Sequence, residues 1–224
     1  MADQNPEKDS FFKEIDEELR QESYAKLWKK YGKYLIGIAV IFVASVAAYQ
    51  GWSGYDLSRR SDDSALYASA LNAISQNKTN DATSALAHLT KDGTTGYSIL
   101  AQLNQAGLIA RSGDATGAAA AYLSIANDTK INEIFRDLAL ILSTMHNLDN
   151  GDPVELTNQI QHLISPSNPW RHTARELVAL LAKKSGNIKQ ADQLYKELAD
   201  DVTAPAGIRA RAAEMSAILG NKGK

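Results

Sequence analysis

Apolar residues follow two regimes along this chain. From Tyr34 to Tyr55 twenty-two residues pass without a charge, and nowhere else does such a run occur. Beyond it, apolar side chains recur every three or four positions among polar ones, which is the spacing of one face of an α-helix, and no stretch alternates at the period of a strand. As a helix rising ~1.5 Å per residue, the apolar part of the run spans roughly 28 Å, close to the ~30 Å hydrocarbon core of a bilayer. The pattern predicts an all-α chain: a single N-terminal transmembrane helix over residues 34–55, then stacked helices.

The flanks of the run predict its direction. Lys26, Lys29, Lys30 and Lys33 crowd its N-terminal side, with Arg20 further back, against Arg59 and Arg60 on the other. The positive-inside bias puts residues 1–33 in the cytoplasm and everything after Tyr55 across the membrane. Trp28, Tyr31 and Tyr34 at one end and Tyr49, Trp52 and Tyr55 at the other match rings placed where head groups meet hydrocarbon. A cleaved secretory signal is the rival reading, with a cut after Ala47 or Ala48. Against it stand the long charged leader and the aromatic residues beyond the cut. Within the run, Gly37, Ala44, Ala48 and Gly51 share one face, which would let another helix approach closely in lipid. Ahead of it, Phe11, Phe12, Ile15 and Leu19 recur at helical spacing among acids. That acidic amphipathic helix suits a protein partner, or self-packing, better than an anionic leaflet.

The remainder carries an internal period. Gln76-Asn77-Lys78, Ser112-Gly113-Asp114, Asn150-Gly151-Asp152 and Ser185-Gly186-Asn187 are turns spaced by 36, 38 and 35 residues. Five positions after the central turn residue come Ala82, Ala118, Leu156 and Ala191; nine after come Leu86, Tyr122, Ile160 and Tyr195; twelve after come Leu89, Ile125, Leu163 and Leu198. A small residue, a large one and a further apolar one at these offsets describe the inner face of the second helix in a hairpin. The Gly or Asn supplies the left-handed backbone that ends the first helix. The helices expected are 62–76 with 80–90, 96–112 with 115–127, 131–147 with 153–164, 169–185 with 188–200, and a capping helix 205–219 that shows Arg209 and Arg211 to water. Residues 56–63 read as a connector, 64–220 as the repeat domain and 221–224 as a disordered tail.

Gly113, Asp114, Ala118 and Tyr122, and again Gly186, Asn187, Ala191 and Tyr195, resemble the tetratricopeptide repeat. The third repeat departs from it at Thr144, where a small Gly or Ala is expected. The resemblance implies an α-solenoid of tetratricopeptide-like hairpins with first-helix residues along its concave side. Projected onto this chain, that register selects Tyr67, Leu71, Ile74, Leu103, Ile141, Met145 and Leu180 as protein-binding positions, with Lys183 and Lys184 beside them. These apolar side chains suit an unfolded or partner polypeptide, or else fill the core between repeats.

Charge and chemistry narrow the function. The net charge is −2, spread evenly on both sides of the run, so nucleic acid is not an expected partner. With no cysteine there is no disulfide frame, thiolate metal site or thiol nucleophile. His88, His146, His162 and His172 lie in separate helices or turns, and neither a nucleophile elbow nor a phosphate loop occurs. No enzyme activity, cofactor, metal or small-molecule substrate is expected.

The layout as a whole, with Leu27-Trp-Lys-Lys-Tyr-Gly-Lys33 running into one span, Trp52 and Tyr55 at its exit and degenerate hairpins behind, resembles the YfgM-like ancillary subunits of the bacterial Sec translocon. That resemblance implies a single-pass bacterial inner-membrane protein with a periplasmic repeat domain, placed beside a SecYEG-type channel and a membrane-anchored periplasmic chaperone of the PpiD type. A scaffold of envelope or division machinery is the alternative.

Overall fold

The computed structural model describes the backbone of residues 6–222 and the side chains of residues 24–220. It is all-α, and the described residues contain no strand. The chain divides into two compact units, Met1–Ser58 and Arg59–Lys224.

Helix α1 runs from Pro6 to Ser75 and contributes to both units. The connector expected at residues 56–63 is helical instead. The segment from Tyr55 to Ser75 contains neither Pro nor Gly, and polar composition alone does not end a helix. The side chains of Phe11, Phe12, Ile15 and Leu19 lie outside the described residues. In the first unit α1 exposes Tyr34, Ile38, Ile41, Phe42 and Val43, and no residue of its most apolar eighteen-residue window is buried. It is long and apolar enough to cross a membrane.

In the second unit the C-terminal part of α1 is followed by α2 (Thr79–Asp92), α3 (Thr95–Arg111), α4 (Ala115–Asn127), α5 (Glu133–His146), α6 (Pro153–Ile160), α7 (Arg171–Lys184), α8 (Ile188–Asp200) and α9 (Ala206–Lys222). The expected tail therefore begins inside α9, and its last two residues lie outside the described ones. From α2 onward each helix packs on the next, and Ala70 of α1 shares a core cluster with Leu86 and Leu89 of α2. In addition α3 touches α5, α5 touches α7 and α7 touches α9, whereas no comparable contact joins α2 to α4, α4 to α6 or α6 to α8. Alternate helices of the stack thus meet on the first-helix side.

The turns explain where the helices stop. Asn77, Gly113 and Gly186 hold left-handed φ angles of 57°, 90° and 82°. At the first, Lys78 N–H bonds Ala73 C=O at 2.9 Å, and at the last Asn187 N–H bonds Ala182 C=O at 2.9 Å, closing the otherwise orphaned carbonyls. Asp114 and Asn187 then cap the following helices, accepting from Gly117 N–H at 2.7 Å and Gln190 N–H at 3.3 Å. The third turn differs from expectation, because Gly151 is not left-handed. Its loop is longer, with Gly151 N–H on Asn147 C=O at 2.8 Å. A Cβ at Gly151 would lie 2.8 Å from Leu156 Cδ1 and 3.0 Å from Asn147 C=O, so the turn packs closely against its neighbours there. Helix α6 is also shorter than expected and ends in a 3-10 turn, Gln161–Ile164.

Inside the hairpins Ala82, Ala118 and Ala191 are fully buried. Twelve residues earlier, on the first helices, Ala70, Ala106 and Ala179 are buried as well. The third repeat places Thr144 and Leu156 at these positions, both buried, and the Thr144 hydroxyl donates to Leu140 C=O at 2.9 Å within its own helix. Leu86, Tyr122, Ile160 and Tyr195, with Leu89, Ile125, Leu163 and Leu198, complete the cores. At the C-terminal end Ala204, Ile208, Ala212 and Leu219 cover Ala191, Tyr195 and Leu198. Arg211 is exposed as expected, and it also grips Glu176 through two bonds of 2.7 and 2.8 Å. Arg209 is half-buried.

Candidate protein-interaction face

The inner layer of first helices carries the residues to which the repeat register assigns binding, and their packing divides them. Ile141 is buried in the core between α5, α6 and α7, so it is a packing residue and not a surface one. Tyr67 and Ile74 pack on the cluster of Ala70, Leu86, Leu89 and Ala101, and Leu103 packs on that of Ala106 and Tyr122. Tyr67 is pinned further by Asn104, whose side-chain amide donates to its hydroxyl at 2.9 Å, and by the Tyr97 ring with centroids 5.8 Å apart. These residues sit where neighbouring first helices meet. One helical turn later, Leu71 and Met145 are exposed and Leu180 is half-buried outside the core clusters. The same position in the second repeat is Gly107. The stripe is therefore Leu71, Gly107, Met145 and Leu180, one residue per repeat, exposed at Leu71 and Met145 and half-buried at the other two.

Cations stand near the C-terminal ends of the first helices. Arg111 and Lys183 are exposed, while Lys184 donates to Leu148 C=O. On the apolar helix of the first unit, Ala44, Ala48 and Gly51 are exposed and Gly37 is half-buried, and a Cβ at Gly37 or Gly51 would meet nothing within 4 Å.

A second periodic set escaped the sequence reading. Seven residues before the small first-helix residue stand Asp63, Ile99, Asp137 and His172, all buried. Each ties its repeat to the segment that enters the next. Asp63 accepts from Thr94 N–H at 2.6 Å, at the start of α3. Asp137 accepts from the Asn168 side-chain amide at 2.7 Å, ahead of α7. His172 Nε2 lies 3.4 Å from the Thr203 hydroxyl, ahead of α9. In the second repeat Ile99 shares a core cluster with Ile131, ahead of α5. The signal was available in the common offset, but the four residues have no side-chain chemistry in common.

His172 also lies 3.5 Å from Asp201, and burial together with Arg171 and Arg175 holds its pKa below the usual imidazole value against the pull of Asp201. Asp201 itself is held below the usual carboxylate range, chiefly by hydrogen bonds from Thr203. Burial pushes the Tyr195 phenol up to about 12. Of the other histidines, His88 is exposed, His146 stacks on Tyr122 with centroids 5.6 Å apart, and His162 lies 3.9 Å from Asp137. Among the described residues no group of three or more acids and histidines is placed to hold a metal ion.

The tetratricopeptide repeat-like domain family matches residues 25–151, more than half of the chain, and the chain belongs to that family. The matched stretch takes in the apolar run together with the first two hairpins. No curated protein and no solved structure matches the chain. Such repeats form protein–protein interaction domains, and here the first helices line one face of the stack.

Proposed function

We propose that this chain is a non-enzymatic, membrane-anchored interaction subunit whose inner first-helix face binds a partner polypeptide. The observation that carries the reading is the stripe of Leu71, Met145 and Leu180, apolar side chains left outside the core on the face lined by the first helices. Residues 34–55 are the anchor, the lysines from Lys26 to Lys33 keep the N-terminus in the cytoplasm, and the repeats face the periplasm of a bacterial cell. The face of Gly37, Ala44, Ala48 and Gly51 packs on another helix in the membrane. By its resemblance to YfgM-like subunits, the chain works beside a SecYEG-type channel, with a membrane-anchored periplasmic chaperone or an emerging polypeptide as its partner.

Photo-crosslinking from Gly37, Gly51 and Met145 in native membranes tests this. Channel subunits recovered from the anchor, with a chaperone or an exported chain recovered from Met145, are expected. Division proteins at both places would replace the translocon reading with an envelope scaffold. Protease added to spheroplasts should remove the repeats and spare a tag at Met1, and protected repeats would overturn the orientation.

A further inference from the structure

Helix α9 is built in the register of α7, the first helix of the fourth hairpin. Gly220-Asn221 repeats Gly186-Asn187 in sequence, although α9 runs on through it to Lys222, and Arg209 stands where α7 has Arg175. The packing keeps that register. Ala174 and Val178 are buried on the third repeat, and Ile208 and Ala212 take the same positions on the fourth. In the earlier first helices Ala70, Ala106 and Ala179 precede the turn by one interval, and each is buried in a core shared with the second helix of its own hairpin. Ala213 is that residue in α9, and it is exposed. Ala206, Ala210, Ala217 and Gly220 are exposed with it, and Glu214 stands at one edge. The helix that ends a stack ordinarily turns a polar face outward, and this one turns a row of small side chains.

An arginine on the same side of α9 lacks the partner that its counterpart has. Arg175 lies one turn before Ala179 and donates to Asp201, just beyond the end of α8, at 3.2 Å. Arg209 lies one turn before Ala213, and its Nε is buried with no hydrogen-bond partner among the described residues. A buried donor ordinarily finds an acceptor.

These positions select what covers them. In the fourth hairpin Ala179 shares its core with Tyr195 and Leu198 of α8, so large side chains on the second helix fill the space that the small one on the first leaves. A second copy of α9 would set alanine against alanine and leave that space empty. A helix patterned like α8 fills it, and a carboxylate beyond its C-terminal end meets Arg209 as Asp201 meets Arg175.

We propose that the outward face of α9 docks an amphipathic helix of a partner protein, with large apolar side chains on Ala213 and Ala217 and an acid just past its end on Arg209. The partner completes a fifth hairpin. This surface lies at the end of the stack, apart from the stripe of Leu71, Met145 and Leu180, and does not depend on it.

The probe is a fluorescent peptide with the sequence of residues 187–203, amidated at its C-terminus. A free helix of this length is marginal, so a staple joins positions 189 and 193, both exposed in α8. Titrated into the full chain in detergent micelles, it should bind saturably by anisotropy. Ala213→Glu and Ala217→Glu should each lose about tenfold or more in affinity, because the docked helix would bury an unpaired charge. Both positions are exposed, so thermal unfolding should hardly change. Asp201→Asn in the peptide and Arg209→Gln in the chain should each weaken binding about threefold or more, and together no more than either alone. Met145→Glu should bind as wild type does. The docking face is overturned by absent saturation, or by binding indifferent to Ala213→Glu and Ala217→Glu, which exchange with the chain's own α8 would give. Equal binding of the Asp201→Asn peptide would overturn the contact with Arg209. Loss of binding in Met145→Glu would move the peptide to the first-helix stripe. A dimer without peptide that Ala213→Glu dissolves would give the face to a second copy.

Discussion

In the second repeat the small positions of the two helices are Ala106 and Ala118, and in the third the same positions hold Thr144 and Leu156, all four of them buried. The second repeat turns on left-handed Gly113 and caps at once with Asp114. The third uses a longer loop in which Gly151 lies close to Leu156 before Asp152 caps α6, accepting from Val154 N–H at 2.7 Å. The second joins its neighbour through Ile99 and Ile131, the third through Asp137 and Asn168. What the repeats share is therefore a set of buried positions. Residue identity follows from the volume available at each one, and a bulkier pair is accommodated where the turn lengthens.

Substitutions at the same register should thus have opposite signatures in the two repeats. Leu156→Ala should cost about 2–5 kcal/mol through the cavity it leaves. Ala118→Leu should cost about 1–3 kcal/mol through overpacking at the tight position, and Ala191→Leu the same in the fourth repeat. Urea unfolding followed by circular dichroism measures these effects, and a harmless Ala118→Leu would show that the second repeat has room to spare. Asp137→Ala, which deprives the Asn168 amide of its acceptor, should cost about 1–3 kcal/mol. Thr144→Ala should stay within about 1 kcal/mol of wild type, because the hydroxyl bonds only its own helix and alanine is what the other repeats carry.

The smallest effect is on pH dependence. Since the His172 pKa is lowered in the folded chain, the unfolded chain binds the proton first as pH falls. Stability is fully present above the ordinary imidazole value of about 6.5 and declines below it, until the folded form is protonated too. His172→Gln should flatten that part of the stability profile and leave the limb from Asp201, which appears only at lower pH, in place. An unchanged slope between pH 7 and 5 would mean that His172 does not set it.

Most of the fold was legible because each repeat announces itself locally. Asn77, Gly113 and Gly186 mark turns by backbone geometry, and Ala118 with Tyr122 marks an inner face by helical spacing. The lost connector shows the limit of that reasoning. Polar residues 56–63 looked like a linker, but no Pro or Gly interrupts them. The candidate site was half legible, since a register projected from a resemblance selects first-helix residues without separating Ile141, which lies between helices, from Met145, which does not. The ties from Asp63, Asp137 and His172 were missed because their partners lie 31 residues away, well beyond the reach of helical periodicity.

Those ties also set an order in time. Each joins a first helix to the segment just ahead of the next, so these ties are within reach once that short segment has followed, whereas Arg211 on Glu176 waits for α9. A chain delivered from its N-terminus can fasten each repeat before the one after next exists, and so needs no distant C-terminal partner to begin folding.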